Sequence, residues 1–220
     1  VIAGLDSPSI VKIYGQGFTD DYGYILMEYL EGEDLAHHIR LGVRPRQALA
    51  VLYQTALALR VIHTKGIIHR DIKPTNIMFR RDGTLVLVDF GFSKLILDDP
   101  GLTRQGQVLG TPQYMSPEQA RGLPVDHRTD LYSLGVVFYE MLTGRKLFGG
   151  VQGPPGASRQ AAPLPILPQP LASFQMVLDR LVAKKPEQRF QSADELLDYI
   201  TRLWGVPKAP IFENELPSVQ

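Results

Sequence analysis

The spacing of apolar residues changes period along this chain, and each change marks an element. Ile10 to Phe18 and Tyr22 to Tyr29 are apolar, β-rich runs on either side of Thr19-Asp20-Asp21, the pattern of a hairpin. Asp34 then stands as N-cap for a short helix through Leu41. Pro45 opens a long helix whose Leu49, Leu52, Tyr53, Ala56, Leu59 and Ile62 share one face, ending near Lys65-Gly66. Two short β runs follow, Ile77 to Phe79 and Leu85 to Val88, with Arg81-Asp82-Gly83 as the turn between them. Residues 92–115 have loop composition. Thr129 to Thr143 reads as an apolar helix closed by Gly144. Two amphipathic helices are expected over Leu171 to Ala183 and Ser192 to Trp204, the first stopped by Lys185-Pro186. Gly149 to Pro170 is dense in Gly and Pro and reads as loop, and Gly205 to Gln220 as a loose tail.

Composition narrows the function classes. The 220 residues suffice for one domain with a substantial core, and 44% hydrophobic with 21% charged residues is the balance of a globular protein. Lys+Arg and Asp+Glu are both 23, so bulk charge gives no support to a nucleic-acid or membrane-surface partner. The absence of Cys excludes a disulfide scaffold and a Cys-ligated zinc site, and fits a cytoplasmic location. No apolar run has the length of a membrane span, and the first residues lack the marks of a signal peptide. The chain opens on Val1 rather than Met, as a piece of a longer polypeptide would, and a membrane anchor elsewhere in such a polypeptide stays open.

The chemistry-bearing residues lie where the long helix gives way to the second pair of β runs. His69-Arg70-Asp71-Ile72-Lys73-Pro74-Thr75-Asn76 precedes one run, and Asp89-Phe90-Gly91 follows the other. Phosphoryl transfer to a hydroxyl needs each of these residue types. A carboxylate, Asp71, orients the hydroxyl and takes its proton. A cation, Lys73, takes up charge on the transferred group. Mg²⁺ needs hard oxygen ligands, which Asn76 and Asp89 provide, and the hairpin closed at Gly83 brings these two together.

These residues match the H-R-D-x-K-x-x-N and D-F-G signatures, and the chain resembles the protein kinases over about residues 5–204. Gly110-Thr111-Pro112-Gln113-Tyr114-Met115-Ser116-Pro117-Glu118 resembles the end of the family's activation segment, with Ser-Pro-Glu for the commoner Ala-Pro-Glu. Asp130-Leu131-Tyr132-Ser133-Leu134-Gly135 resembles the start of its central helix. Lys185-Pro186-Glu187-Gln188-Arg189-Phe190 resembles its late arginine motif, with Lys185 where an acidic residue or Asn is usual. The run Gly110 to Gly122 is most similar to the bacterial branch of Ser/Thr kinases. The resemblance implies an α+β fold, mainly the helical large lobe with one β-hairpin of the small lobe. Residues 1–30 would be the small-lobe remnant and hinge, 31–204 the large lobe and 205–220 a tail.

Further roles are implied by the same resemblance. ATP and Mg²⁺ would be the cofactors, and a protein bearing Ser or Thr hydroxyls the substrate. Lys73 and Thr111 point to Ser/Thr rather than Tyr acceptors, with Thr111 bonding Asp71 and shaping the acceptor pocket. Backbone groups of Glu28 and Leu30 would meet the adenine edge, with Met27 as gatekeeper, Asp34 at the ribose and Met78 under the base. Ile13, His69 and Phe90 fit the stacked spine that aligns the metal loop. Glu118 would pair with Arg189, and Asp130 would accept bonds from the catalytic-loop backbone. Arg70 would meet a phosphorylated activation-loop residue, Thr103 before Ser93, while Gln105 stands where bacterial relatives often have Thr.

Two departures from the family pattern bear on activity. A Gly-rich phosphate loop, a strand Lys and its helix Glu are absent from the sequence, for Gly15-Gln16-Gly17 is too short and Lys12 belongs to the late small-lobe hairpin. Such a chain is expected to be inactive alone, and the apolar faces of Ile13, Ile25 and Met27 to lack cover. Pro154-Pro155 and the glycines between Gly149 and Ala162 shorten or remove the substrate-docking helix. An alternative of another class, a pseudokinase acting as a scaffold, stays open, and a small-molecule kinase of similar fold is a third.

Overall fold

A helix that is apolar on all sides has to be buried, and α4 (Arg128–Thr143) is the one at the centre here, with almost every side chain from Thr129 to Leu142 inside. The computed structural model describes residues 7–19, 22–89, 112–148, 163–210 and 212. Four strands precede α4: β1 (Ile13–Phe18), β2 (Gly23–Met27), β3 (Ile77–Phe79) and β4 (Leu85–Leu87). The helices before it are α1 (Leu35–Leu41), α2 (Pro45–His63) and the single turn α3 (Pro117–Ala120). After it come α5 (Gln175–Leu181) and α6 (Ala193–Trp204).

The helical part of the chain is built on α4. Helix α2 packs its Leu49, Leu52, Ala56, Leu59 and Ile62 face against α4 and α6. Helix α5 closes on α4 at Gly135, where a Cβ would lie 2.6 Å from Leu181 Cβ and 2.9 Å from Val182 Cγ1. Any larger residue there would push the two helices apart. Ser192 caps α6 through Glu195 N at 3.1 Å, and Gly144 ends α4 in the left-handed conformation, φ 66°.

Two small antiparallel sheets make up the β structure among the described residues. In one, β1 pairs with β2, Ile13 opposite Met27 and Phe18 opposite Gly23, with an irregularity between Ile13 and Gly15. In the other, β3 pairs with β4, Ile77 opposite Leu87, and Gly83 turns the chain at φ 82°. The segment before β1 is stitched to β4 by two backbone bonds: Leu87 N donates to Ser9 O at 2.9 Å and Val11 N to Leu87 O at 3.0 Å.

Three elements differ from the sequence reading. Gln169–Phe174 is a 3-10 turn and only Gln175–Leu181 is α-helical, because Pro170 starts the segment in a tighter turn. Ile13 and Met27 are partly covered by the core, since the bonds between the segment before β1 and β4 hold β1 near it, whereas Tyr14, Phe18, Tyr22, Tyr24 and Leu26 are exposed. The tail is exposed at Gly205, Val206, Lys208 and Ala209 but anchored further on: Pro210 is buried, and Phe212 stacks on His38 with ring centroids 3.9 Å apart and meets Phe79 edge-on at 4.9 Å.

Candidate active site

The loop between α2 and β3 has no regular backbone bonding of its own, so its polar groups need partners elsewhere. Asp130, fully buried in the first turn of α4, is the partner of two of them and also meets His63 at the end of α2. Its Oδ1 accepts from Arg70 N at 2.8 Å, and its Oδ2 accepts from His69 N at 2.8 Å and lies 2.8 Å from His63 Nε2. These bonds hold Arg70 at φ 67°, a left-handed conformation that costs a non-glycine residue about 1–3 kcal/mol. Gln119, next to the Ser116 cap of α3, adds a bond from Nε2 to Arg70 O at 2.8 Å.

With its backbone fixed, the loop brings three predicted side chains together. Asp71 Oδ2 accepts from Lys73 Nζ at 2.6 Å and from Asn76 Nδ2 at 3.1 Å. Asn76 Nδ2 also donates to Asp71 O at 2.9 Å, from the 3-10 turn Pro74–Asn76. The Asp71 and Lys73 side chains each keep 23% of their surface in solvent, while Asn76 is buried. A charged pair at the surface of a lobe thus rests on a buried amide.

Asp89 stands exposed just past β4, at φ 55°, and Val88 N donates to Asn76 O at 3.0 Å, so the hairpin places Asp89 next to the loop of Asn76. The donor set suits a small hard cation. Both amide hydrogens of interest on Asn76 point at Asp71, which leaves its Oδ1 as an acceptor, and Asp89 offers an accessible carboxylate. Phosphate oxygens and water would complete such a shell. Phe90, Gly91, Ser93, Thr103, Gln105, Thr111 and the stretch Gly149 to Ala162 lie outside the described residues.

His69 locks the loop to the hairpin from below. It is wholly buried, Nε2 donates to Val88 O at 3.0 Å, and Nδ1 accepts from Asp71 N at 3.3 Å. The bond from Asp71 N needs an unprotonated Nδ1, and so the neutral ring. Burial drives the pKa of His69 below its ordinary 6.5, against the opposing pull of Asp130. Its contribution to stability is therefore complete above the unfolded value and is lost as pH falls toward the lower folded one. His38, shifted the same way by burial and by His37, adds to this trend. The urea midpoint of the chain is expected to fall between about pH 7.5 and about pH 5.5. A midpoint that stayed level would contradict this placement of His69.

The predicted hinge runs from β2 to α1. Met27 is partly covered by the core and Leu30 is buried. Gly32 is pressed onto β3, so close that a Cβ would lie 1.9 Å from Phe79 O. Phe79 N donates to Glu33 O at 3.2 Å, and Asp34 forms a β-bridge with Met78. Asp34 and Met78, predicted at ribose and base, are thereby adjacent to each other. Asp34 Oδ1 also caps α1 through His37 N at 2.7 Å. The side chain of Glu28 points into an ion pair with Arg80.

The Glu118–Arg189 pair forms as the sequence suggests. Arg189 Nη1 donates to Glu118 Oε1 at 2.7 Å and Nη2 to Oε2 at 2.8 Å, with both side chains buried. Several residues with clear structural roles carried no advance signal. His63 was one more polar residue at the end of α2. Tyr114, Glu140 and Lys146 form a cluster, with Tyr114 OH donating to Glu140 Oε2 at 2.7 Å and Lys146 Nζ 3.0 Å from Oε1. Burial and the adjacent Glu140 carboxylate raise the Tyr114 hydroxyl above its ordinary range.

The fold and this loop define a class of protein. The protein kinase domain profile matches residues 1–200, and the chain belongs to that family. Among named relatives, it is 39% identical to the serine/threonine-protein kinase PknB of Mycobacterium leprae, over 94% of this chain and 36% of that protein. It is 38% identical to PknB of Mycobacterium tuberculosis, with the same coverage. It is 36% identical to a probable serine/threonine-protein kinase of Clostridium perfringens, over 96% of this chain and 32% of that one. The chain thus spans about a third of the length of these curated relatives. Among the described residues, no helix is long and apolar enough to cross a membrane.

Proposed function

We propose that this chain is the large-lobe part of a protein serine/threonine kinase that moves the γ-phosphoryl of ATP to Ser or Thr hydroxyls of protein substrates. The observation that carries the reading is the Asp71 carboxylate, bonded by Lys73 and Asn76 on a loop held from behind by Asp130. The acceptor oxygen bonds to the γ-phosphorus as the bond to the bridging oxygen of ADP breaks, and the hydroxyl proton goes to Asp71. Lys73 spreads charge from the transferred group. Asn76 and Asp89 would hold Mg²⁺, which when bound neutralises charge on the phosphates. Thr111 would steady Asp71 and shape the acceptor pocket. Met27, Glu28, Leu30, Asp34 and Met78 would form the adenosine side of the site.

Because the sequence contains no Gly-rich loop, strand Lys or helix Glu, the 220 residues alone are expected to transfer little phosphate. The test is transfer from γ-labelled ATP to a generic basic protein, using this chain and the natural polypeptide that carries it. Where that polypeptide carries the three features upstream of Val1, label on Ser or Thr from it, with little from the 220 residues, is the expected result. A longer polypeptide that carries the three upstream features and is still inert would contradict the reading and favour a scaffold.

A further inference from the structure

The turn after β3 carries two adjacent arginines, and the structure uses them differently. Arg81 Nε pairs with Glu31 Oε2 at 2.5 Å, with 80% of the arginine side chain in solvent. Arg80, 28% exposed, reaches the other way to Glu28, 52 residues earlier and 18% exposed. Its Nη2 donates to Glu28 Oε1 at 2.7 Å and to Oε2 at 2.9 Å, and its Nη1 donates to Pro8 O. One guanidinium therefore ties the segment before β1, the end of β2 and the β3–β4 hairpin into a single unit.

Glu28 is held on every side except one. Lys12 N donates to its Oε1 at 2.8 Å, and its own N–H donates to Lys12 O at 2.9 Å. The bonds from Arg80 and Lys12 outweigh burial and hold the Glu28 carboxyl below its ordinary value, so the charged pair is the stable state. Among the described residues, no donor reaches the peptide carbonyl of Glu28. Two residues on, Leu30 is buried, and at Gly32 the chain is pinned against Phe79, the residue before Arg80. The connection between the lobes is therefore clamped at both ends to the same short hairpin.

We propose that Arg80 is a positioning residue for the nucleotide: by holding the Glu28 side chain it aims the Glu28 carbonyl and Leu30 N–H at the adenine edge. This rests on the kinase reading, in which those backbone groups meet the base. A bidentate arginine–carboxylate pair fixes orientation as well as distance, which a single flexible ammonium does less well. The base should feel the loss of this clamp, and the phosphates, held elsewhere, should not. Arg81 is the control on the same turn, since an exposed pair contributes little.

The experiment measures binding of Mg-ATP and of Mg-tripolyphosphate, which has no base, to the natural polypeptide that carries these residues. Arg80→Ala is expected to weaken ATP binding by about tenfold and to leave tripolyphosphate binding unchanged. Arg80→Lys should recover part of the loss, and Arg81→Ala should match the wild type. Hydrogen exchange without nucleotide should rise over residues 27–33 in Arg80→Ala and stay level in α4. Failures of the two ideas are distinguishable. Wild-type protein that does not bind Mg-ATP contradicts the kinase reading and this proposal with it. Wild-type binding together with an Arg80→Ala variant that keeps its ATP affinity, or loses ATP and tripolyphosphate equally, overturns the role of Arg80 alone.

Discussion

Asp71→Asn is expected to slow phosphoryl transfer by the natural polypeptide by about 10²–10⁴-fold, the usual contribution of a general base. The substitution keeps the shape of the side chain and an oxygen that can accept from Lys73 and Asn76, whose bonds to Asp71 Oδ2 are 2.6 and 3.1 Å. What it removes is the charge that draws the hydroxyl proton. The backbone of the loop is held by Asp130 rather than by Asp71, so the loop should keep its course. The check is the rate at saturating ATP and acceptor, with circular dichroism to verify the fold. A loss under tenfold would show that Asp71 does not take the proton.

Glu118→Ala is expected to cost about 3–5 kcal/mol of stability, the range for removing one partner of a buried pair. Arg189 is fully buried and its remaining partners are carbonyls: Ala183 O at 2.8 Å, Arg128 O at 3.1 Å and Lys184 O at 3.2 Å. These satisfy three of its five N–H groups and do not balance its charge. Thr129 Oγ1, which donates to Glu118 Oε1 at 2.7 Å, would lose its acceptor as well. Although burial raises the Glu118 carboxyl, the bonds and charge of Arg189 bring it below its ordinary 4.5. Its stabilisation is thus present above that value and lost as pH falls through the lower folded one. Urea unfolding of the 220-residue chain measures both effects, and a cost below about 1 kcal/mol would place the pair among weak surface contacts.

Local rules made much of this fold legible. Period and caps located α1, α2 and α6 closely, because Asp34, Pro45 and Ser192 act on the helix that each begins. The order of motifs along the chain anticipated the Asp71, Lys73 and Asn76 cluster. Contacts between residues far apart and outside any motif left no such trace. Arg80 reads as a turn residue beside Arg81, and only the fold shows which of the two meets Glu28. His63 becomes the partner of Asp130 because α2 crosses α4 at that point. The tail reads as loose, yet Phe212 finds the aromatic surface of His38 and Phe79, which lie far from it in sequence. Strain at Arg70 is likewise set by its bonds to Asp130 and Gln119 and not by the residue type.

The central claim is a division of labour in which Asp71 acts on the acceptor hydroxyl while Asp89 and Asn76 hold the metal–nucleotide. It is tested most directly by calorimetric titration of Mg-ATP into Asp71→Asn and Asp89→Asn variants of the natural polypeptide. The account predicts that Asp71→Asn binds as the wild type does, because its carboxylate faces the acceptor. Asp89→Asn should bind clearly more weakly, because it removes a charged ligand from the ion. Equal weakening in both variants, or full affinity in Asp89→Asn, would contradict it.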